Sequence, residues 1–298
     1  MKTVIIAGFD NLTFTSADLL NPMEYKLVGF GTTIESAWNV YDENHNIIEN
    51  LEEMPVKPID VSVSYDPDMI ILAAGSDEDN DKLKYKLYKA NYQGEVISLR
   101  DFSKGFSART AAIRKLSWRL ESLGVEGCAA DLGCYRGDIS WQMNALMPDR
   151  KLYLFDTFTG YDGRDIAVEQ ENGYSDAAVN DYSLSPKELA NYEERILSRM
   201  PYADQVVIKP GWFPETAYDL EEKFALVYID TGLYQPTFKG IQYFFPRMSK
   251  GGVILVAGYE DGRSSSVRAA VDDLEKQYGA FLITPLCDTA GTIMIVRP

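Results

Sequence analysis

Residues 128–140 read Cys-Ala-Ala-Asp-Leu-Gly-Cys-Tyr-Arg-Gly-Asp-Ile-Ser, and the fold of the chain depends on them. The apolar start predicts a short strand, and Gly133 and Gly137 predict a tight turn before a helix that ends near Met147. Glycine lets the backbone approach a ligand closely because it has no Cβ. The helix would direct its free N–H groups and its positive dipole end toward the same turn. This stretch therefore predicts a binding site for a small molecule.

A second apolar strand, from Lys151 to Asp156, ends on a carboxylate. Neighbouring strands of a parallel sheet point the same way, so Asp156 would lie beside the glycine turn. A carboxylate at that position can accept hydrogen bonds from both hydroxyls of a ribose. The spacing D-x-G-x-x-x-G differs from the G-x-G-x-x-G pattern that cradles a pyrophosphate. The two strand ends therefore favour S-adenosylmethionine over NAD as the cofactor.

Composition and charge narrow the classes of function. The 298 residues are 46% hydrophobic and 25% charged, which is ordinary for a soluble globular protein with room for two domains. No apolar run approaches the roughly 20 residues of a membrane helix, and the apolar start breaks at Gly8 and Asp10, unlike a signal peptide. The net charge of −16 argues against nucleic acid as a partner. Three cysteines fit no disulfide or zinc spacing, so we expect reduced thiols and a cytoplasmic location.

The first hundred residues alternate between strand and helix patterns. They predict strands at 3–8, 25–31, 69–74 and 95–99, with a helix at 81–91. The runs that contain Gly8, Phe30 and Ala73 resemble the small N-terminal α/β modules of sugar-modifying enzymes from bacterial polysaccharide pathways. The first turn lacks the glycines that phosphates require, so we expect a structural or docking role. We therefore predict a Rossmann-like domain over residues 1–101 and a second domain over residues 102–298.

The second domain continues with further strands. A strand pattern at 224–230 ends on Asp230, at the sheet edge where ligands of open α/β sheets bind. Residues 252–256 predict another strand, and residues 281–285 and 292–297 predict a closing hairpin. The domain is therefore predicted to be a mostly parallel sheet with an antiparallel terminal strand.

Other segments give no clear chemical signal. An amphipathic helix precedes the glycine turn, and Arg109 and Arg114 are predicted to belong to its solvated face. A polar acidic segment follows Asp156 and runs to about Asn180. Its pattern is typical of a lid or a binding loop, and equally of a solvated loop. Ser185 begins a predicted capping box for a helix that reaches about residue 200. His45 lies in a polar stretch and is given no catalytic role, which argues against a histidine base.

Four motifs in the second domain occur in a recognisable order, at residues 131–137, 154–160, 209–216 and 268–272. With them, residues from about 107 to 279 resemble the macrocin O-methyltransferase family, whose members methylate sugar hydroxyls with S-adenosylmethionine. The resemblance implies a class I methyltransferase fold with a seven-stranded, mostly parallel sheet. It also implies that the following residues bind the cofactor, with the last near its adenine: Asp131, Gly133, Tyr135, Gly137, Asp156, Thr157 and Trp212.

The chain departs from this family at the metal site. Where the family has the motif D-G-D-x-Y, residues 230–234 of this chain read Asp-Thr-Gly-Leu-Tyr. Where the family has V-D-D-Y, residues 256–259 read Val-Ala-Gly-Tyr. Asp230 alone keeps its carboxylate, while Mg²⁺ needs oxygen ligands in near-octahedral geometry. Glu260 and Asp261 follow the second motif, but would need a different loop path to reach a metal. We therefore expect that the chain has no metal site and does not use Mg²⁺ as a cofactor.

Three interpretations follow for the function. In the first, the chain is a metal-independent O-methyltransferase that acts on a hydroxyl of a sugar or sugar-bearing metabolite, with Asp230 as the candidate catalytic base. In the second, it binds S-adenosylmethionine but has lost its catalytic machinery. In the third, it is a non-enzymatic scaffold of a polysaccharide or natural-product pathway. The sequence does not fix the acceptor or the oligomeric state, and a homo-oligomer is compatible with it.

Overall fold

The computed structural model describes the chain at residues 1–8, 13, 16–17, 19–33, 50–51, 54–174, 191–259, 265–288 and 290–298. The described chain forms two compact units, Met1–Ser107 and Ala108–Pro298. The sequence-based boundary, after residue 101, falls inside a helix at Leu99–Gly105 that belongs to the first unit. His45, Ser185, Glu260 and Asp261, which the sequence-based predictions name, lie outside the described residues.

The first unit contains a six-stranded sheet. Its elements in chain order are β1 (Lys2–Ala7), β2 (Tyr25–Thr32), β3 (Asn50–Leu51), β4 (Met54–Pro58), α1 (Ile59–Ser62), β5 (Met69–Leu72), α2 (Asp77–Lys89), β6 (Glu95–Ser98) and α3 (Leu99–Gly105). The strand order is β3-β4-β2-β1-β5-β6, and every pair is parallel except β3 with β4. Ser76 caps α2 by accepting a hydrogen bond from the N–H of Asp79.

The end of β1 is closely packed. The N–H of Gly8 donates to the carbonyl of Gly31 at 2.9 Å, and a Cβ at Gly8 would overlap the carbonyl of Ala73. Glycine is therefore required here by the approach of a neighbouring strand, which is a structural reason for its presence.

The second unit contains a seven-stranded sheet. Its elements are α4 (Ala108–Ser122), β7 (Cys128–Leu132), α5 (Asp138–Leu146), β8 (Leu152–Asp156), α6 (Gly163–Asn172), α7 (Tyr192–Leu197), β9 (Val206–Pro210), β10 (Phe224–Ile229), α8 (Tyr234–Phe244), β11 (Met248–Val256), α9 (Ser266–Tyr278), β12 (Ile283–Pro285) and β13 (Ile293–Val296). The strand order is β12-β13-β11-β10-β7-β8-β9, and only the pairs of β13 are antiparallel among these described strands. The predicted mostly parallel sheet with an antiparallel terminal strand is confirmed.

The central strands of this unit are buried on both faces, as their apolar sequences require. Alternate residues of β10 show the division: Leu226 and Tyr228 pack on the side of α4 and α5, whereas Val227 and Ile229 pack on the side of α8 and α9. Two helical layers therefore cover the sheet and leave its edges for the loops. Within the described ranges, no helix combines the length and the apolar character needed to cross a bilayer.

The register of the central strands brings three strand ends to one level. Leu132 of β7 lies opposite Phe155 of β8 and Ile229 of β10. The next residues along these strands are Gly133, Asp156 and Asp230, so all three lie at the carboxyl edge of the sheet. The glycine turn therefore lies between two acidic strand ends.

Candidate functional site

The turn after β7 depends on backbone conformations that glycine favours. Gly133 has a φ of +85° and Gly137 has a φ of +77°. A Cβ at Gly133 would overlap the carbonyl of Asp230, so a side chain at this position would push the turn away from β10. Tyr135, between the two glycines, also takes a left-handed conformation, with a φ of +47°. The N–H groups of Gly133 and Gly137 donate to the carbonyls of Phe155 and Cys134, so the turn is held in this conformation by hydrogen bonds within the protein.

Asp156 fixes this turn from the neighbouring strand. Its Oδ2 accepts the N–H of Tyr135 at 2.7 Å, and its Oδ1 accepts the N–H of Phe158 at 2.7 Å. Burial raises the pKa of Asp156 above its ordinary value, although the backbone hydrogen bonds oppose this shift. Each carboxylate oxygen can accept more than one hydrogen bond. Asp156 therefore faces the glycine turn and retains acceptor capacity for a ligand.

Asp131, inside β7, is a buried carboxyl group with half of its hydrogen-bonding capacity unused. Its side chain is 1% exposed, and its Oδ2 accepts the hydroxyl of Ser140 at 2.5 Å. Its Oδ1 is buried without a hydrogen-bond partner among the described residues. Burial raises the pKa of Asp131 to about 7, and the charges of Asp230 and Asp156 add to the effect. An unpaired buried oxygen of this kind is costly unless a ligand uses it.

Apolar side chains cover the turn on the side of α5. Phe158 stacks on Tyr192 with ring centroids 4.2 Å apart. A Cβ at Gly137 would lie 3.3 Å from Cε of Met200 and 3.5 Å from Cγ2 of Ile196, so α7 and the residues after it contact the start of α5. A ligand held by the glycine turn would meet this apolar cover.

Thr157 and Trp212 make contacts within the protein. The hydroxyl of Thr157 donates to the carbonyl of Gly160, which closes the loop after β8. The indole N–H of Trp212 is shared by both carboxylate oxygens of Asp165, each at 3.1 Å. The guanidinium of Arg164 lies 3.8 Å from the centre of the Trp212 ring. One face of this indole is therefore covered, and Trp212 lies beyond the end of β9 next to the strand of Asp156.

Asp230 belongs to a cluster of charged and polar groups. Its Oδ2 accepts the hydroxyl of Tyr228 at 2.9 Å and lies 3.3 Å from Nη1 of Arg109. Arg109 also donates to the hydroxyl of Tyr228, and its Nε lies 3.2 Å from Oδ2 of Asp288. Burial alone would lower the pKa of Arg109, but Tyr228 and the two carboxylates raise it above its ordinary value.

The prediction that Arg109 belongs to a solvated helix face is wrong. Arg109 lies in the first turn of α4, and its long side chain reaches Asp230, which is 121 residues further along the chain. The amphipathic pattern predicted the helix. It did not show that the first turn of the helix lies close enough to the end of β10 for Arg109 to contact Asp230. Arg114, one and a half turns later, is exposed as predicted.

The described residues do not supply the ligands of a magnesium site. Ala257 and Gly258 have no side-chain oxygen, and the described part of the chain holds no group of three metal-ligating side chains. Oδ2 of Asp230 already pairs with a guanidinium. Mg²⁺ prefers several oxygen ligands in octahedral geometry, so the described residues at this edge do not by themselves fit the ion, and Glu260 and Asp261 lie outside the described part of the chain.

Sequence reasoning missed Glu169. The segment around it was interpreted as a polar loop, but residues Gly163–Asn172 form α6, which Asp162 caps through the N–H of Arg164. Glu169 is fully buried and accepts the N–H of Tyr234 and the hydroxyl of Ser266, each at 2.5 Å. It therefore joins the first turns of α8 and α9. The sequence signal that could have predicted this helix is Asp162, a residue type favoured at the N-cap of a helix.

Comparisons with known proteins agree with this geometry. Residues 105–291 match the family model of macrocin O-methyltransferase (TylF). The chain is 26% identical over 184 residues to the 8-demethyl-8-(2,3-dimethoxy-alpha-L-rhamnosyl)-tetracenomycin-C 4'-O-methyltransferase of Streptomyces olivaceus, covering 57% of this chain and 65% of that protein. It is 24% identical over 167 residues to the mycinamicin III 3''-O-methyltransferase of Micromonospora griseorubida, covering 52% and 63%. The matches thus span just under two thirds of these relatives.

Two solved structures share the fold. The O-methyltransferase NovP superposes with a TM-score of 0.51 and 20% identity, covering 64% of this chain and 79% of NovP. The calicheamicin methyltransferase CalS11 superposes with a TM-score of 0.53 and 18% identity, covering 74% of this chain and 87% of CalS11. The predicted class I methyltransferase fold is therefore confirmed.

Proposed function

Because the chain belongs to the macrocin O-methyltransferase family, we propose that it transfers the methyl group of S-adenosylmethionine to a hydroxyl of a sugar or a sugar-bearing metabolite. The observation that carries this proposal is the meeting of Asp156 with the glycine turn at one level of the sheet edge. The relative from Streptomyces olivaceus is named for a rhamnosyl compound, which favours deoxysugar acceptors as the first to be tested.

We assign the cofactor to the carboxyl ends of β7, β8 and β9. Asp156 would accept the ribose hydroxyls, and the unpaired Oδ1 of Asp131 would accept a hydrogen bond from the cationic end of the cofactor. Gly133 and Gly137 would allow close approach of the backbone to the cofactor. When bound, S-adenosylmethionine supplies an activated methyl group.

The remaining cofactor contacts are assigned to loop residues. Trp212 would offer its uncovered face to the adenine, and Tyr135 would shape the turn beside the ribose. Thr157 would act by holding the loop after β8 through Gly160. The apolar cover formed by Phe158 and Tyr192 would exclude water from the cofactor site.

Asp230 is the proposed base. Its Oδ2 is held by Tyr228 and Arg109, while the structure gives its Oδ1 no hydrogen-bond partner among the described residues. The acceptor oxygen would take up the methyl group that the bound cofactor supplies, with adenosylhomocysteine as the by-product, and Asp230 would accept the proton of the acceptor hydroxyl and pass it to water. Alignment of the acceptor oxygen with the methyl group supplies much of the acceleration in such a transfer. A metal-independent reaction and a homo-oligomeric cytoplasmic state remain predictions.

The test combines binding and turnover with the full chain. Calorimetric titration with adenosylhomocysteine measures cofactor binding, and transfer of a radioactive methyl group to a panel of rhamnosides measures activity, each with and without EDTA. We expect binding and turnover that both resist EDTA. Binding without turnover on any acceptor would replace the proposal with a cofactor-binding protein, and loss of turnover in EDTA would refute metal independence. Absence of binding would refute the proposal as a whole.

A further inference from the structure

The guanidinium of Arg109 is the centre of the polar cluster at the end of β10. It contacts the hydroxyl of Tyr228, Oδ2 of Asp230 and Oδ2 of Asp288. The side chain of Arg109 is 24% exposed, that of Asp288 is 5% exposed and that of Asp230 is 44% exposed. The cluster is therefore anchored in the protein at one end and open to solvent at Asp230.

The contacts of Asp230 are one-sided. Tyr228 and Arg109 both bind Oδ2, which leaves Oδ1 on the exposed side of the carboxylate. Tyr228 is fully buried, so its hydroxyl gives the carboxylate a fixed anchor. The anchored oxygen determines the direction in which the other oxygen points. Asp230 is therefore oriented before any acceptor binds.

The same contacts place a permanent positive charge beside Oδ2 of Asp230, which disfavours a divalent ion at that oxygen. A guanidinium stays protonated in proteins, so the charge does not depend on pH in the usual range. Residues 257 and 258, alanine and glycine, offer no second carboxylate to draw a metal to this edge. The chain thus supplies its own cation at Asp230.

We propose that Arg109 is a positioning residue of the transfer site, which holds Asp230 through Oδ2, keeps Oδ1 directed at the acceptor hydroxyl and takes the place of a divalent metal. This inference rests on the proposed function, because it assigns Asp230 as the base. Asp288 in turn holds Arg109 through Nε, and its own oxygens accept the N–H and the hydroxyl of Thr292. The arrangement is a chain of fixed contacts from Thr292, just before β13, to the carboxylate of Asp230.

A purely structural role makes a different prediction. If Arg109 only fastened α4 to the sheet, its replacement would lower thermal stability without a specific effect on turnover. If it positions Asp230, turnover falls while cofactor affinity and the apparent affinity for the acceptor change little, because neither ligand is bound by Arg109 itself. The experiment therefore separates kcat from KM.

The test uses Arg109→Met and Arg109→Lys in the full chain, with Arg114→Met as the matched control on an exposed part of the same helix. We expect Arg109→Met to lower kcat about a hundredfold, with adenosylhomocysteine affinity and KM within about threefold of wild type. Arg109→Lys should recover part of kcat, and Mn²⁺ should restore none of it. An unchanged kcat in Arg109→Met, or wild-type turnover that requires Mn²⁺ or Mg²⁺, would overturn the inference.

A second measurement does not need turnover. Thermal unfolding of Arg109→Met, Asp230→Asn and the double variant forms a mutant cycle. We expect the double variant to lose less stability than the two single losses combined, because the two side chains interact. Strictly additive losses would overturn the inference even if no acceptor were found. Failure of the wild-type chain to bind adenosylhomocysteine would instead refute the proposed function, whatever the cycle shows.

Discussion

Replacement of Asp131 by asparagine should stabilise the second unit at alkaline pH and weaken cofactor binding. The carboxyl group is 1% exposed, one of its oxygens has no partner among the described residues, and burial raises its pKa to about 7 from the ordinary value of 3.8. The folded state therefore disfavours the ionised form. Asparagine keeps an oxygen for the hydroxyl of Ser140 and carries no charge at any pH.

The sign follows from proton linkage. Because the pKa is higher in the folded than in the unfolded state, the wild type loses stability as pH rises from about 4 to about 7. Each pH unit in this range costs about 1.4 kcal/mol. Between pH 5 and pH 8 the stability of Asp131→Asn relative to wild type should therefore rise by about 2–3 kcal/mol. For a unit of this size, this corresponds to roughly 5–10 °C in Tm.

Differential scanning calorimetry at pH 5 and pH 8 measures this difference. Asp149→Asn, at an exposed carboxylate after α5, is the control and should show the same Tm difference from wild type at both pH values. Titration with adenosylhomocysteine should show that Asp131→Asn binds about tenfold more weakly, since the proposed contact loses its charge. A Tm difference that is the same at both pH values, or that decreases at pH 8, would refute the reasoning.

Two further outcomes follow from the structure. Glu169→Ala should lower the free energy of unfolding by about 2–4 kcal/mol, because it removes a buried acceptor that binds both the N–H of Tyr234 and the hydroxyl of Ser266. Denaturant titration checks this, and a loss no larger than that of an exposed control, Glu171→Ala, would contradict it. With a thiol reagent such as DTNB, Cys287 should react within minutes, and the two buried thiols only on unfolding; rapid reaction of all three would show that the second unit opens.

The fold of the second unit could be predicted because its signals are local. Residues 128–132 are apolar apart from Asp131 and are followed by glycine, and residues 152–155 are an apolar run that ends on Asp156, which indicates central strands of a parallel sheet. The register then follows from parallel packing, and it brings Gly133 beside Asp156 without any further information. Three of the four family motifs are local in the same way, since they lie at the ends of β7, β8 and β9, and the fourth lies within α9.

The parts that sequence reasoning missed depend on contacts between distant residues. Arg109 meets Asp230 across 121 positions, and Glu169 meets Ser266 across 97. A charged residue in an amphipathic helix has the same local pattern whether it faces water or a carboxylate. Glu169 was hidden in the same way, because an acidic segment with few apolar residues resembles a solvated loop. The packing of α6 against α8, together with the start of α9, turns this acidic side chain into a buried hydrogen-bond acceptor.

The central claim is that the ends of β7 and β8 together bind an adenosyl group, and calorimetric titration of wild type and Asp156→Ala with adenosylhomocysteine tests it most directly. We expect saturable binding to wild type and to the control Asp149→Ala, and affinity at least tenfold weaker for Asp156→Ala, a loss of about 1.4 kcal/mol or more. Circular dichroism should show that the variant remains folded. Equal affinity of wild type and folded Asp156→Ala would contradict the placement of the ribose at this carboxylate.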